Sequence, residues 1–162
     1  MNKVTSVLFV GIGGQGVLKA SDVLARAAFL AGLEVKKSEI HGMSQRGGGV
    51  TSTVRFGRKV YSPLAPAGTI DVLVGLDKAE GQKYLREVRA GGKSLFVDEG
   101  LFSGLADKRF SNMAILGRLA EMLDFSDEIW HKSISHEVPS KYVEANIEAF
   151  KLGKGRSPGG GA

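Results

Sequence analysis

The sequence TSVLFVGIGGQG, from Thr5 to Gly16, decides the fold class. Its first half is a short apolar run with β-branched residues, which is typical of a strand buried in a parallel sheet. Its second half matches the pattern G-x-G-x-x-G, and apolar residues then recur at helical spacing up to Gly32. A second strand pattern follows at Glu34–Ile40. This order of strand, glycine turn, helix and strand predicts a β-α-β unit, so we expect an α/β protein.

The remainder of the chain predicts more strands and helices in one domain. Residues 50–56 alternate between apolar and polar, and the tight turn after them favours a β-hairpin with residues 59–61. Buried strands are predicted at 71–76 and 94–97, with a helix between them capped by Asp77, and the chain from Ser111 onward is helical, with Ser111 as a cap. We expect a single three-layer α/β domain over residues 1–150, with a mixed, mostly parallel sheet, a β-hairpin and helices on both faces. Residues 151–162 predict a flexible Gly-rich tail.

Composition excludes several functions. The 162 residues carry a net charge of +5, but three of the cations lie in the predicted tail and the others are mixed with acids, so nucleic-acid binding is disfavoured. The sequence contains no cysteine, which excludes disulfides, a thiol nucleophile and the usual ligation of iron–sulfur clusters. No apolar stretch approaches about 18 residues, and the N-terminus does not resemble a signal peptide, so we expect no membrane span and a cytoplasmic protein.

The first candidate site is the glycine turn formed by Gly11, Gly13, Gly14, Gln15 and Gly16. Backbone amides at such a helix start can bind an anion, and the missing side chains let a pyrophosphate approach. Glu39 follows 23 residues after Gly16, where a ribose-binding acid could lie, so a free-standing Rossmann-like NAD(P)-binding domain is one interpretation. The other is that the glycines only make a tight turn. The predicted hairpin interrupts the second β-α-β unit, which disfavours the nicotinamide interpretation.

The second candidate site is the loop HGMSQRGGG over residues 41–49, whose proposed site residues are His41, Gly42, Met43, Gln45, Arg46, Gly47 and Gly48. The planar guanidinium of Arg46 suits a carboxylate or a phosphate. His41 could titrate near neutral pH or donate to an oxyanion. The alternative is a mobile surface loop without a ligand. No metal site is predicted, because His131 and His136 have no recognisable ligand spacing around them.

Together these segments resemble the gamma-type domain of 2-oxoacid:ferredoxin (acceptor) oxidoreductases. The run SEIHGMSQRGG at 38–48 is similar to the S-E-x-H-G-M-x-Q-R-G-G of the indolepyruvate ferredoxin oxidoreductase beta subunit. Gamma subunits that act on pyruvate or 2-oxoglutarate carry a related loop without the histidine and the glutamine. The resemblance covers about residues 1–150 and implies the gamma-domain fold of pyruvate-ferredoxin oxidoreductase. Between Asp98 and Ser111 the chain is shorter than the family pattern, which puts the second half of the sheet in doubt.

The resemblance implies an accessory subunit of a complex that catalyses CoA-dependent oxidative decarboxylation of an aryl 2-oxoacid such as indolepyruvate, with ferredoxin as the acceptor. Thiamine diphosphate, Mg and [4Fe–4S] clusters serve that reaction, and we expect them on a larger catalytic subunit. For this chain we expect no catalytic residue, no metal and no cofactor bound alone. The two loops would contact the substrate or CoA. The isolated chain would be inactive, with a homodimer as one state, while the 2-oxoacid and the stoichiometry stay open.

Overall fold

The computed structural model describes residues 3–41 and 48–155, arranged around a five-stranded mixed sheet. The strands are β1 (Val4–Ile12), β2 (Glu34–His41), β3 (Gly49–Gly57), β4 (Ile70–Gly75) and β5 (Val88–Phe96). Their order across the sheet is β2-β3-β1-β4-β5. β4 is parallel to both β1 and β5, whereas β3 is antiparallel to both β1 and β2. The sheet is therefore evenly mixed rather than mostly parallel.

Helices connect and cover these strands in the described part of the chain. They are α1 (Val17–Leu30), α2 (Lys78–Gln82), α3 (Glu99–Ser103), α4 (Ser111–Ala120), α5 (Asp127–Glu137) and α6 (Val143–Lys154). The largest helix–helix contacts join α4 to α6 and α1 to α5. The main helical layer is thus built from the first helix and the C-terminal third of the chain.

Alternation along the strands fills the space on both faces of the sheet. Val7 and Phe9 of β1 are completely buried and belong to the larger core, which includes α1, α4 and α6. Leu8 and Val10 point the other way and join a smaller cluster with Tyr84, beside α2. Because both faces of β1 are buried, its sequence is continuously apolar, and the predicted single α/β domain is confirmed.

The prediction that residues 59–61 form the second strand of a hairpin with residues 50–56 is wrong. β3 lies between β1 and β2 and pairs with both, while residues 59–61 are not in the sheet. The buried Val60 instead donates its backbone N–H to the Glu34 carboxylate at 2.8 Å. The alternation in residues 50–56 marked a half-buried strand correctly, but alternation carries no information about which strand pairs with it.

Three further boundaries differ from the prediction. Asp77 does cap α2, accepting the N–H of Glu80 at 2.9 Å, but the helix ends at Gln82 and Val88 already begins β5. Ser111 does not cap α4, because a single 3-10 turn precedes it and is capped by Asp107. The proposed tail boundary at residue 151 falls inside α6, which continues to Lys154. Residues 156–162 lie outside the described residues.

Candidate functional site

The two predicted loops meet at one edge of the sheet. The backbone N–H of Gly13 donates to the carbonyl oxygen of Gly48 at 3.2 Å, and Ile12 pairs with Gly49 where β1 and β3 are antiparallel. At the other end of the second loop, His41 closes β2 opposite Val50. Carboxyl ends of the parallel strands β1 and β4 lie at the same edge, where open α/β sheets bind ligands.

The second predicted loop is described only at its two ends, His41 and Gly48. Gly42, Met43, Gln45, Arg46 and Gly47 lie outside the described residues. His41 is described, with a side chain 59% exposed at the rim of the site. The predicted roles of the unplaced residues therefore stay predictions.

The glycine turn leaves the backbone amides at the start of α1 without a side-chain cap. Gly16 is the N-cap residue and has φ 80°, a left-handed conformation that disfavours any residue with a Cβ. Since glycine has no side chain, no side-chain oxygen caps the first turn of α1. The Gln15 side chain is occupied internally, because its Oε1 accepts the N–H of Ile12 at 2.8 Å. The turn can therefore offer backbone amides to an anion, whereas Gln15 shapes the turn itself.

Asn112 supports this turn from a helix distant in sequence. It begins the first turn of α4 and is 6% exposed. Its Nδ2 donates to the carbonyl of Gly16 at 3.2 Å, and its Oδ1 accepts the N–H of Met113 at 2.9 Å. Added to Gly16, a methyl group would lie 2.4 Å from the Asn112 amide nitrogen. This positioning residue had no predicted role.

Charged side chains on β2 surround His41. Lys37 donates to the carboxylates of Asp22 and Glu39, the second at 2.7 Å, and Glu39 Oε2 lies 3.9 Å from His41 Nε2. Burial alone would lower the pKa of Lys37, but the hydrogen bonds to both acids raise it, so its ammonium group stays charged. Glu39 is therefore committed to an ion pair on the protein surface.

This arrangement does not support the NAD(P)-binding interpretation. In a dinucleotide-binding fold the second strand lies next to the first, so that its terminal acid reaches the ribose. Here β3 separates β1 from β2. Glu39 therefore lies two strand spacings from β1, about 10 Å, rather than the single spacing of about 5 Å that such a fold requires.

A short helix completes the site on its other side. Glu80 of α2 lies beside the start of β3, where a methyl group added to Gly49 would be 2.9 Å from Glu80 Oε2. Lys83 donates to Glu80 Oε1 at 2.9 Å, and this hydrogen bond raises the pKa of Lys83. In residues 3–41 and 48–155, no three His, Asp or Glu side chains are grouped as metal ligands, and no helix is long and apolar enough to span a membrane.

Comparison with known proteins gives a consistent result. The profile of the family "Pyruvate ferredoxin/flavodoxin oxidoreductase" matches residues 6–104 and 96–155. The "Indolepyruvate oxidoreductase subunit IorB" of Pyrococcus horikoshii is 30% identical over an alignment that covers 93% of this chain and 95% of that protein. That alignment has 191 positions, whereas this chain has 162 residues, so the relative carries at least 29 residues without a counterpart here.

Two solved structures share the fold. The gamma subunit of a keto/oxoacid ferredoxin oxidoreductase from Geobacter sulfurreducens PCA has a TM-score of 0.75 and 25% identity, with 92% of this chain and 95% of that chain covered. A 2-oxoglutarate:ferredoxin oxidoreductase chain from Magnetococcus marinus has a TM-score of 0.83 and 22% identity. The match covers 96% of this chain but 31% of that longer chain. The same fold therefore occurs as a separate chain and as part of a larger one.

Proposed function

The chain belongs to the pyruvate ferredoxin/flavodoxin oxidoreductase family, and on that premise we propose that it is the accessory subunit of a 2-oxoacid:ferredoxin oxidoreductase. The observation that carries the proposal is the likeness over nearly the full length of both proteins to a curated oxidoreductase subunit. The iron–sulfur clusters of such an enzyme would then belong to a larger catalytic partner, because this sequence has no cysteine to ligate them. We place the complex in the cytoplasm with ferredoxin as its acceptor.

The proposed substrate is an aryl 2-oxoacid such as indolepyruvate. The loop at 38–48 carries the histidine and the glutamine that distinguish the indolepyruvate type from the pyruvate and 2-oxoglutarate types. The printed name of the Pyrococcus horikoshii relative agrees with this assignment. The reaction would be oxidative decarboxylation of the 2-oxoacid to its acyl-CoA.

The residues of this chain do not fit the redox cofactors. The sequence offers no cysteine to ligate an iron–sulfur cluster, and its described part offers no acidic group of three for a metal ion. We therefore assign thiamine diphosphate, Mg and the clusters to the partner, where thiamine diphosphate supplies the carbanion chemistry. This chain's contribution is to bind and orient.

The glycine turn and the adjoining loop are the proposed contact with substrate or CoA. Both ligands carry anionic groups, and the first-turn amides of α1 together with Arg46 match carboxylate and phosphate oxygens. The hydrogen bond between Gly13 and Gly48 holds the base of the second loop against the turn, so both can reach the same ligand. His41 would add a hydrogen bond from the rim. We propose no catalytic acid or base in this chain.

The test is reconstitution with the large catalytic subunit of a 2-oxoacid:ferredoxin oxidoreductase from the same organism. Arg46→Ala and His41→Ala should lower turnover of the complex at least tenfold, which corresponds to about 1.4 kcal/mol. The matched control is Arg58→Ala, which removes an exposed arginine after β3, near the opposite end of the sheet, and should leave turnover unchanged. Thermal unfolding of His41→Ala and Arg58→Ala should match wild type, since both side chains are exposed and such side chains contribute little to stability, and Arg46→Ala is checked in the same assay.

Two outcomes would contradict the proposal. If the purified chain neither binds the large subunit nor changes its 2-oxoacid oxidation, it is not an accessory subunit of this enzyme. If Arg46→Ala and His41→Ala complexes turn over like the Arg58→Ala complex, the subunit assignment stands but the loop is not the ligand contact.

A further inference from the structure

The last strand of the sheet has an open edge. β5 pairs with β4 on one side, and no strand of residues 3–41 and 48–155 pairs with its other side. The N–H of Val97, just after β5, donates to the Gly75 carbonyl at 3.1 Å, so odd-numbered residues direct their backbone groups toward β4. Ser94 and Phe96 must then direct theirs away from the sheet. Unpaired strand edges of this kind are templates for another strand.

A cleft of about 550 Å³ runs along this edge. Four successive residues, Ser94 to Val97, line it. Because successive side chains point to opposite faces of a sheet, a cleft that touches four in a row lies along the strand edge rather than on one face. Phe102 of α3 and Lys78, the first residue of α2, form parts of its wall. The cleft therefore has the place and shape for an added extended segment.

A buried arginine in the cleft wall lacks part of its hydrogen bonding. Arg118 of α4 is 5% exposed and forms an ion pair with Asp98, in which Nη1 lies 2.9 Å from Oδ2. Its Nε is buried and has no acceptor within the described chain. A buried donor without an acceptor destabilises a protein, so an acceptor from outside the chain is expected here.

The comparison with relatives points to the same place. The family profile matches this chain in two segments that overlap at residues 96–104, from the end of β5 through α3. This overlap falls on the stretch after Asp98 in which the sequence is expected to be shorter than the family pattern, and that stretch directly follows the open edge. The Pyrococcus horikoshii relative has at least 29 more residues, which is enough for a strand and its connections.

We propose that the edge of β5 is the docking site for an extended segment of the large catalytic subunit, which adds a strand to the sheet. This inference rests on the proposed function, since it takes the partner from there. The segment should carry an acidic residue, because Lys78 in the cleft wall and Lys93, which precedes Ser94 on β5, form no ion pair within the described chain. A second copy of this chain fits poorly, because antiparallel self-pairing centred on Ser94 brings two Lys93 side chains close together.

Amide hydrogen exchange resolved by residue tests the docking directly. The full chain is compared alone and in complex with the large subunit. The amides of Ser94 and Phe96 should exchange at least tenfold more slowly in the complex, whereas those of Leu95 and Val97 should change little, because they already bond to β4. Equal exchange of Ser94 and Phe96 in both samples would overturn the inference.

A matched pair of variants gives an independent measurement. Ser94→Pro removes an outward N–H without touching the bonds to β4, while Ser94→Thr keeps that N–H and suits a strand. Titration should show at least tenfold weaker binding of the large subunit for Ser94→Pro and unchanged binding for Ser94→Thr. If Ser94→Pro does not fold, Lys93→Glu is used in its place. This variant should also weaken binding of the large subunit at least tenfold.

The outcomes separate the two proposals. No binding of the wild-type chain to the large subunit refutes the proposed function. The docking edge alone is refuted if the wild-type chain binds the large subunit but the amides of Ser94 and Phe96 stay unprotected. The same holds if Ser94→Pro or Lys93→Glu binds the large subunit as tightly as wild type. Protection of the same amides in the free chain as its concentration rises would identify a second copy as the occupant and would also overturn the inference.

Discussion

Replacing Gly153 with alanine should force α4 and α6 apart. A Cβ at this position would lie 1.7 Å from the carbonyl oxygen of Ala114 and 2.5 Å from its carbonyl carbon. These are backbone atoms of α4, so no side-chain rotation can relieve the clash. Overpacking costs about 1–3 kcal/mol, and a backbone collision this close belongs at the upper end. Alanine regains about 1 kcal/mol of helix propensity, which leaves a net loss of about 2 kcal/mol.

The assay is thermal unfolding followed by circular dichroism. For a domain of this size, 1 kcal/mol shifts Tm by about 2–4 °C, so Gly153→Ala should lower Tm by about 4–8 °C. Gly155→Ala is the matched control, because a Cβ there has its nearest neighbour, the Lys151 carbonyl oxygen, at 3.6 Å. That variant should be equal to wild type or more stable by up to about 1 kcal/mol. Equal Tm values for the two variants would refute the close packing of α4 on α6.

Two other variants test contacts of the structure. Asn112→Ala should lower the free energy of unfolding by about 1–2 kcal/mol, because it removes one of the two donors to the Gly16 carbonyl and leaves the buried Met113 N–H without its acceptor; an unchanged urea midpoint would contradict this. Burial raises the pKa of Glu137, but the hydrogen bond from Arg26 Nε at 2.6 Å outweighs it and holds that pKa below its usual 4.5. A pKa lowered in the folded state adds stability above the usual pKa, and this stability is lost as the pH falls. Glu137→Gln should therefore lower the free energy of unfolding by about 1 kcal/mol at pH 7 and by little below about pH 4. A difference from wild type that stays constant across that range would rule this out.

Local patterns predicted most of the strands and the glycine turn that precedes α1. The continuous apolar run before the glycine turn predicts β1, because a strand buried on both faces has no polar positions. The glycine turn requires a following helix, and Gly16 with φ 80° occupies the N-cap of α1. These predictions succeeded because each depends on residues within one or two turns of chain.

What the sequence did not predict depends on distant partners. The contact between Asn112 and Gly16 spans 96 residues, and nothing in either local pattern indicates it. The position of β3, antiparallel between β1 and β2, likewise depends on which strands pair with one another across the whole sheet. Alternation shows that β3 has one buried face and cannot show which edges it joins. The predicted length of α2 was wrong for a related reason, since a distant residue packs against this helix. Gly81 lies against the ring of Phe96 on β5, and a Cβ added to Gly81 would be 2.5 Å from that ring.

The insertion of β3 explains how a dinucleotide-like beginning serves another purpose. In a dinucleotide-binding fold the glycine turn and the acid of the second strand share one ligand. Here the second strand is displaced by one position, and the hairpin between β2 and β3 brings Gly48 against Gly13 instead. The first-turn amides of α1 therefore lie beside the base of the loop that follows His41 rather than beside a ribose-binding acid. On the proposed function, we expect this turn to bind an anionic ligand shared with the catalytic subunit.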